Sequence, residues 1–276
     1  MSRLLFSSYG ARFNDFDLMH KIVDATRELR GGIELAVFSK NSRFPDHILD
    51  LMEEVVPFKD TYITLHGPYY EVEAASEYGS PENDYFFKSY KQAFGVYHAL
   101  GAHSMVVHTN QFAFDEAERE RLRGYSLETM KKLATMAEDA EVNLLIENVG
   151  EPAHGNVMYS QEDFINLFSL LPKSVGALID IGHAIVNGWD IFAVIDALGT
   201  RIRGYHIHNN DGTRDQHLPV FHPGLKYSKK EMVRLLKYME EKTPNSEWIL
   251  EYAPGDYVTP EGLLREMREI VNCISG

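Results

Sequence analysis

Cysteine is nearly absent from this 276-residue chain, Cys273 being the only one. A lone cysteine rules out an intrachain disulfide and a thiolate metal cluster, and it fits a reducing cytoplasm, the expected location. Long apolar runs are missing too. The opening "MSRLLFSSYG" is too short an apolar stretch for a signal peptide, and no window approaches the roughly 20 apolar residues of a membrane span. Positive charge is scarce: 27 Lys and Arg stand against 41 Asp and Glu, a formal net charge of −14. Such a surface repels phosphate polymers and anionic membranes, which disfavours nucleic acid as a partner, although bound cations would offset carboxylates locally. The first strand candidate is followed by "SSYGARFND" and not by G-x-G-x-x-G, so the phosphate loop of a doubly wound nucleotide-binding sheet is lacking. No low-complexity stretch, linker or repeat interrupts the chain, and one domain is expected over 1–276.

What the chain does contain is a rhythm. Hydrophobic residues make up 44%, enough to bury a sizeable core. Short apolar or β-branched runs recur at 4–9, 32–38, 62–67, 104–110, 143–149, 176–182, 202–208 and 248–254. Between them lie segments with helical apolar spacing, among them "DLMHKIVDATREL", "YSLETMKKLATMAEDA" and "SKKEMVRLLKYMEEK", the last opening on a serine suited to cap a helix. Eight strand–helix alternations imply parallel pairing through right-handed crossovers, and eight strands close a barrel. The expected fold is a single (β/α)8 TIM barrel. Its active face would be built from the loops at the C-terminal strand ends, where the longer connections 68–85, 109–124, 149–160 and 209–228 fall.

Those strand ends share a chemistry. They carry His66, His108, Glu147, Asp180 with His183 three residues on, His206 and Glu251, while Asp215 and His217 follow the seventh strand. Scattered along the sequence, these nine side chains converge on one mouth if the barrel closes. Imidazole with carboxylate suits Zn²⁺, Mn²⁺, Co²⁺ or Fe²⁺ rather than the all-oxygen shell of Ca²⁺. Glu147 and Glu251 end apolar strands, where a carboxylate is costly without a cation or donor beside it. A strand-end histidine taken alone reads as an ordinary hydrogen-bonded residue, and Asp180 with His183 could be a structural pair. His20, His47, His98, His103, His154 and His222 read as structural, and Glu34 in "GIELAVF" reads equally as a salt bridge into the barrel or a substrate contact.

With "LHGPY", "VVHTN", "LLIENVG", "IDIGHAIVNGWD", "HIHNNDG", "RDQHLP" and "ILEYAPG" in view, the chain resembles the xylose-isomerase-like TIM barrels over nearly its whole length. That superfamily includes sugar phosphate isomerases/epimerases and the endonuclease IV type of family 2 AP endonuclease. The resemblance to the sugar enzymes implies a metal quartet of Glu147, Asp180, His206 and Glu251, with both glutamates also moving protons beside a metal-polarised carbonyl. The resemblance to the nucleases implies all nine residues as ligands of three zinc ions, Arg43 as a residue that enters DNA, and Tyr69 near His66. Against the nuclease, "HTNQ" replaces His-Pro-Gly, "ENVGEPAHGN" replaces the usual run after the fifth strand, Asn209 stands where an aspartate is expected, and "HLPVFHPG" is longer than its counterpart. A duplex binder also needs basic loops, and loops 68–85, 109–124 and 149–160 are acidic on balance. The choice of His206 over His208 follows from fitting "HIHNNDG" to the family's histidine-x-x-aspartate-x-x-glycine; the two share one strand face, so a slip of register exchanges them.

The expectation is therefore a divalent-metal-dependent isomerase or epimerase of a sugar, sugar acid or cyclitol, with metal-dependent hydrolysis at abasic DNA as the rival and a non-catalytic sugar-binding barrel as a third class. Glu147 and Glu251 would be acid and base as well as ligands. One to three ions, zinc or manganese, would occupy the mouth. Tyr69, His183 and Trp189 would contact substrate, although Trp189 in "NGWDIF" also reads as a packed residue. Isomerases of the kind the chain resembles are often dimers or tetramers, which makes a homo-oligomer one possible assembly and leaves the oligomeric state open.

Overall fold

The computed structural model describes residues 2–37, 53 and 55–275. Eight parallel strands follow one another around a closed barrel: β1 (Arg3–Ser7), β2 (Gly32–Ala36), β3 (Tyr62–His66), β4 (Met105–His108), β5 (Leu144–Glu147), β6 (Gly176–Asp180), β7 (Ile202–Ile207) and β8 (Glu247–Leu250), with β8 pairing back onto β1. The described helices are α1 (Phe16–Thr26), α2 (Pro81–Leu100), α3 (Arg119–Asp139), α4 (Gln161–Leu167), α5 (Ile181–Val186), α6 (Ile191–Leu198), α7 (Lys229–Lys242) and α8 (Pro260–Ser275). This is the (β/α)8 barrel expected. None of the described helices is long and apolar enough to cross a membrane.

The sheet is covered on both faces, which is why its strands read as nearly continuous apolar runs. Outward-facing Leu4, Phe6, Ile33, Leu65, Val107 and Ile146 belong to the large core beneath the helices. Inward-facing Leu5, Val106, Leu145, Leu178 and Ile249 form a separate buried cluster that fills the barrel. Side chains alternate along a strand, so the next inward position lies two residues on. That step places Ser7 above Leu5, His108 above Val106, Glu147 above Leu145, Asp180 above Leu178 and Glu251 above Ile249. A dry apolar plug thus forms the floor beneath a polar layer at the C-terminal mouth.

Neighbouring strands bring the polar residues side by side, with His108 opposite Glu147 and Asp180 opposite His206. The strands end sooner than the apolar runs suggest: β7 stops before His208 and β8 before Glu251. Beyond those points the backbone bonds to the loops, as where the Ala253 N–H donates to the His217 carbonyl at 2.9 Å. The switch from strand to helix is abrupt after β6. Asp180 ends the strand and caps α5, its Oδ1 accepting the His183 N–H at 2.6 Å. Gly182 follows because a Cβ there would fall within the His208 ring.

Candidate metal centre and active-site cavity

His66, His108 and Glu147 converge at the ends of β3, β4 and β5. His66 Nδ1 lies 3.0 Å from the Gly67 carbonyl and His108 Nδ1 lies 3.1 Å from the Gln111 side-chain oxygen. An oxygen of this kind only accepts, so each Nδ1 is the protonated, donating nitrogen. In the neutral rings both Nε2 atoms then carry lone pairs, and these face each other at 3.1 Å. Glu147 Oε2 joins them, 3.2 Å from His108 Nε2 and 3.7 Å from His66 Nε2, with no hydrogen bond aligned to it. Three acceptors pointed at one another in a buried place repel unless something positive lies among them.

The arrangement recurs across the mouth. His183 Nδ1 donates to the Asn148 carbonyl at 3.0 Å and His217 Nδ1 to the Glu251 carbonyl at 2.9 Å. Their Nε2 atoms are aimed at Asp215 Oδ2, at 3.2 Å and 2.7 Å. Asp215 Oδ1 and His208 Nδ1 are buried without hydrogen-bond partners and stand 3.7 Å apart. Histidines that bind metals through one nitrogen characteristically donate the other N–H to such an oxygen. By donor type, orientation and orphaned atoms, the residues fit divalent transition-metal ions, with His66–His108–Glu147 and His208–Asp215–His217 each within the span of one ion.

Between these groups lie Asp180, His206, His208 and Glu251. His208 Nε2 is 3.0 Å from Asp180 Oδ2. His206, two residues deeper, has Nε2 3.1 Å from Glu34 Oε1, while its Nδ1 is 3.3 Å from both Glu147 Oε1 and Glu251 Oε2. Glu34 is fully buried, so of its two readings the structure shows the salt bridge. All nine candidate ligands therefore meet at one mouth, and both Asp180–His208–Glu251 and Glu147–Asp180–His206 could embrace a cation.

Burial opposes the charges of Glu147, Asp180, Asp215, His183, His206 and His217, yet their neighbours shift each towards its ionised form. It would raise the Glu147 carboxyl, but the His206 and His108 imidazoles hold it well below the usual range. Asp180 is lowered against burial by His183 and His208, and Asp215 is held well below normal by His217 and His183. Burial would likewise lower the imidazoles. Asp180 and Asp215 instead raise His183 well above its ordinary value, Glu251 and Glu34 do the same for His206, and Asp215 lifts His217 to about 9. A proton on such a ring would neutralise the carboxylates in the way a cation would.

Above the cluster opens a cavity of about 320 Å³, with Tyr9, Phe13, Tyr69 and Gln111 among its walls. Tyr69 stacks on His108 with centroids 5.1 Å apart, so its expected place beside the site is where it lies. His183 lines the cavity too. Trp189 does not: it packs on Phe164, with centroids 5.6 Å apart, consistent with the packed reading rather than a substrate contact. Tyr9 and Phe13 went unnoticed in the sequence. Phe13 enters the wall because Arg12 and Phe13 take positive φ angles of 55° and 64°, a turn held by the Phe13 N–H on the Ser8 carbonyl at 2.9 Å. The aromatic residues in "SSYGARF", just past a strand end, were the available signal. Arg43 lies outside the described residues.

A model of the xylose isomerase-like TIM barrels matches residues 23–270. The chain belongs to this family. Fructoselysine 3-epimerase of Escherichia coli O157:H7 is 27% identical over 95 residues, which is 34% of this chain, and the match spans about a third of that relative's length (34%). The structure of D-psicose 3-epimerase in the presence of D-fructose superposes with a TM-score of 0.73 at 12% identity, covering 99% of this chain and 100% of the other. AP endonuclease, family 2, from Brucella melitensis gives a TM-score of 0.69 at 16% identity, covering 95% and 97%. Such identities establish a shared fold, and proteins named for two different chemistries share it.

Proposed function

We propose that this family member is a divalent-metal-dependent isomerase or epimerase acting on a sugar, sugar acid or cyclitol, with zinc or manganese as the ion. The observation that carries the metal dependence is the set of histidines whose Nδ1 atoms donate outward to oxygens while their Nε2 atoms meet carboxylate oxygens inside. The ligands would be His66, His108, Glu147, Asp180, His183, Asp215, His217 and Glu251, with either His206 on β7 or His208 just beyond it completing the central set. We favour His208 for that place, since its Nδ1 is unpartnered and it adjoins Asp180, whereas His206 is committed to Glu34 on one side. His206 would then be the buried counter-charge beneath the carboxylates.

A cation held there would supply Lewis-acid polarisation of a substrate carbonyl, making the neighbouring C–H acidic enough to transfer its proton. The chain's own residues do the rest. Glu147 and Glu251 line the same cavity and would serve as acceptor and donor of the transferred proton. Tyr9, Phe13 and Tyr69 offer apolar faces to a sugar ring, and Gln111, His183 and His217 offer polar atoms. The similarity to a fructoselysine 3-epimerase and the modest size of the cavity support a small carbohydrate.

Manganese- or zinc-loaded protein incubated with a panel of ketoses and aldoses in D₂O should place deuterium on the carbon beside the carbonyl, read by proton NMR. The nuclease reading is favoured by the ligands beyond the quartet, His66 and His108 on one side and His183, Asp215 and His217 on the other, which a one-ion epimerase does not need. No deuterium with any sugar, together with prompt incision of a duplex carrying an abasic site, would decide for the nuclease.

A further inference from the structure

The loop after β5 reads "ENVGEPAHGN", and its Glu151 has no part in the ligand set. At Gly150 the backbone takes φ +98°, and an added Cβ would lie 2.6 Å from the Asn156 carbonyl, so the turn there requires glycine. The turn directs Glu151 towards the loop that follows β7. Its Oε2 accepts the Asp215 N–H at 2.6 Å, and its Oε1 lies 3.0 Å from His154 Nδ1. The Glu151 side chain is only 7% exposed whereas that of His154 is 74% exposed. The loop itself is fixed, with the Glu151 N–H on Asn156 Oδ1 at 2.9 Å and Asn187 Nδ2 on the Gly150 carbonyl at 2.7 Å.

Burying a carboxylate to receive one backbone N–H is expensive, since an amide or carbonyl oxygen would accept the same bond without a charge to desolvate. A solvent-washed imidazole is weak compensation. The buried charge makes sense if positive charge lies close by, and the adjoining residue is Asp215, between His183 and His217. We infer that Glu151 is the positioning residue of the outer cation site: it fixes Asp215 from one side and adds negative charge behind it. The other side is fixed at His217, whose φ of +49° is costly for a residue with a side chain and whose carbonyl accepts the Ala253 N–H at 2.9 Å. The inference rests on the reading of the mouth as a cation site.

The test is a Co²⁺ titration of the full-length, chelator-stripped protein, followed by visible absorption and by equilibrium dialysis. The wild type, E151A, E151Q and E240Q are compared; Glu240 likewise accepts a backbone N–H, that of Ser2 at 3.0 Å, but before β1 at the opposite end of the barrel, and serves as control. In E151A the weakest-bound equivalent should lose about 10- to 100-fold in affinity with the tighter equivalents unchanged. E151Q should recover part of that loss because its amide oxygen still accepts the N–H, and E240Q should match the wild type. Equal titrations of E151A, E151Q and wild type, or an equal loss at every equivalent, would overturn the inference. A wild type that binds no Co²⁺ would instead bring down the cation reading itself, and the inference with it.

Discussion

Replacing Glu147 by glutamine keeps the shape of the side chain and removes one charge from the centre of the cluster. Its two oxygens lie 3.2 Å from His108 Nε2 and 3.3 Å from His206 Nδ1, in a side chain that is 1% exposed. Two unit charges 4 Å apart interact by about 4 kcal/mol at the effective dielectric of a protein interior, and a directly ligated dication is both closer and doubly charged. The loss should therefore be at least about 4 kcal/mol, roughly a thousandfold in affinity. Glu147 presents Oε2 to His66 and His108 and Oε1 to the central group that includes Asp180, so two cation positions should weaken together. Competition between the protein and a chromophoric chelator for Zn²⁺ would measure this, with circular dichroism confirming the fold. Tight binding by E147Q, within about threefold of wild type, would refute the idea that this carboxylate is shared between ions, because nothing else on β5 reaches the same point.

Three more outcomes follow from the same geometry. His217 titrates near 9 in the folded, metal-free protein against 6.5 for the free side chain, so the stability it contributes is complete below about pH 6.5 and is lost as the pH rises through 9. Differential scanning calorimetry of stripped protein should thus show Tm falling over that range for this contribution, while the stabilisation by added Zn²⁺ grows as fewer protons must be displaced; a zinc-induced shift that shrinks with pH would count against it. G182A should displace the His208 ring and cost about 1–3 kcal/mol, with a measurable loss of cation affinity; an unchanged affinity would point to His206 in place of His208 as the ligand. F13A should raise KM for the sugar with little change in kcat, since the ring lies in the wall and not among the charged groups, and an equal fall in kcat and kcat/KM would place it nearer the chemistry.

Much of the site could be read from the sequence because two regularities act together. Apolar runs of strand length locate the barrel staves, and the period of two sets which residue tops each stave, so His108 over Val106 and Glu147 over Leu145 were legible. The same period cannot distinguish His206 from His208, which differ by one full repeat and face the same way. Other features depend on contacts that the local pattern does not encode. Glu34 lies on an apolar strand, and only the closed barrel reveals that it meets His206 from the opposite wall. Tyr9 enters the cavity wall two residues past β1, and Phe13 reaches it through a left-handed turn at Arg12 and Phe13 that neither residue type announces. Glu151 acts across two loops, and Trp189, an aromatic in the short turn between α5 and α6, packs on Phe164.

The central claim is that side chains distant in sequence hold cations together at the barrel mouth. Diffraction from crystals of manganese- or zinc-reconstituted protein, recorded on either side of the metal absorption edge, tests it most directly. The account predicts at least one anomalous peak within ligand distance of Glu147, Asp180 and Glu251, and a further one beside His183, Asp215 and His217. Full reconstitution with no anomalous peak among these residues would contradict it.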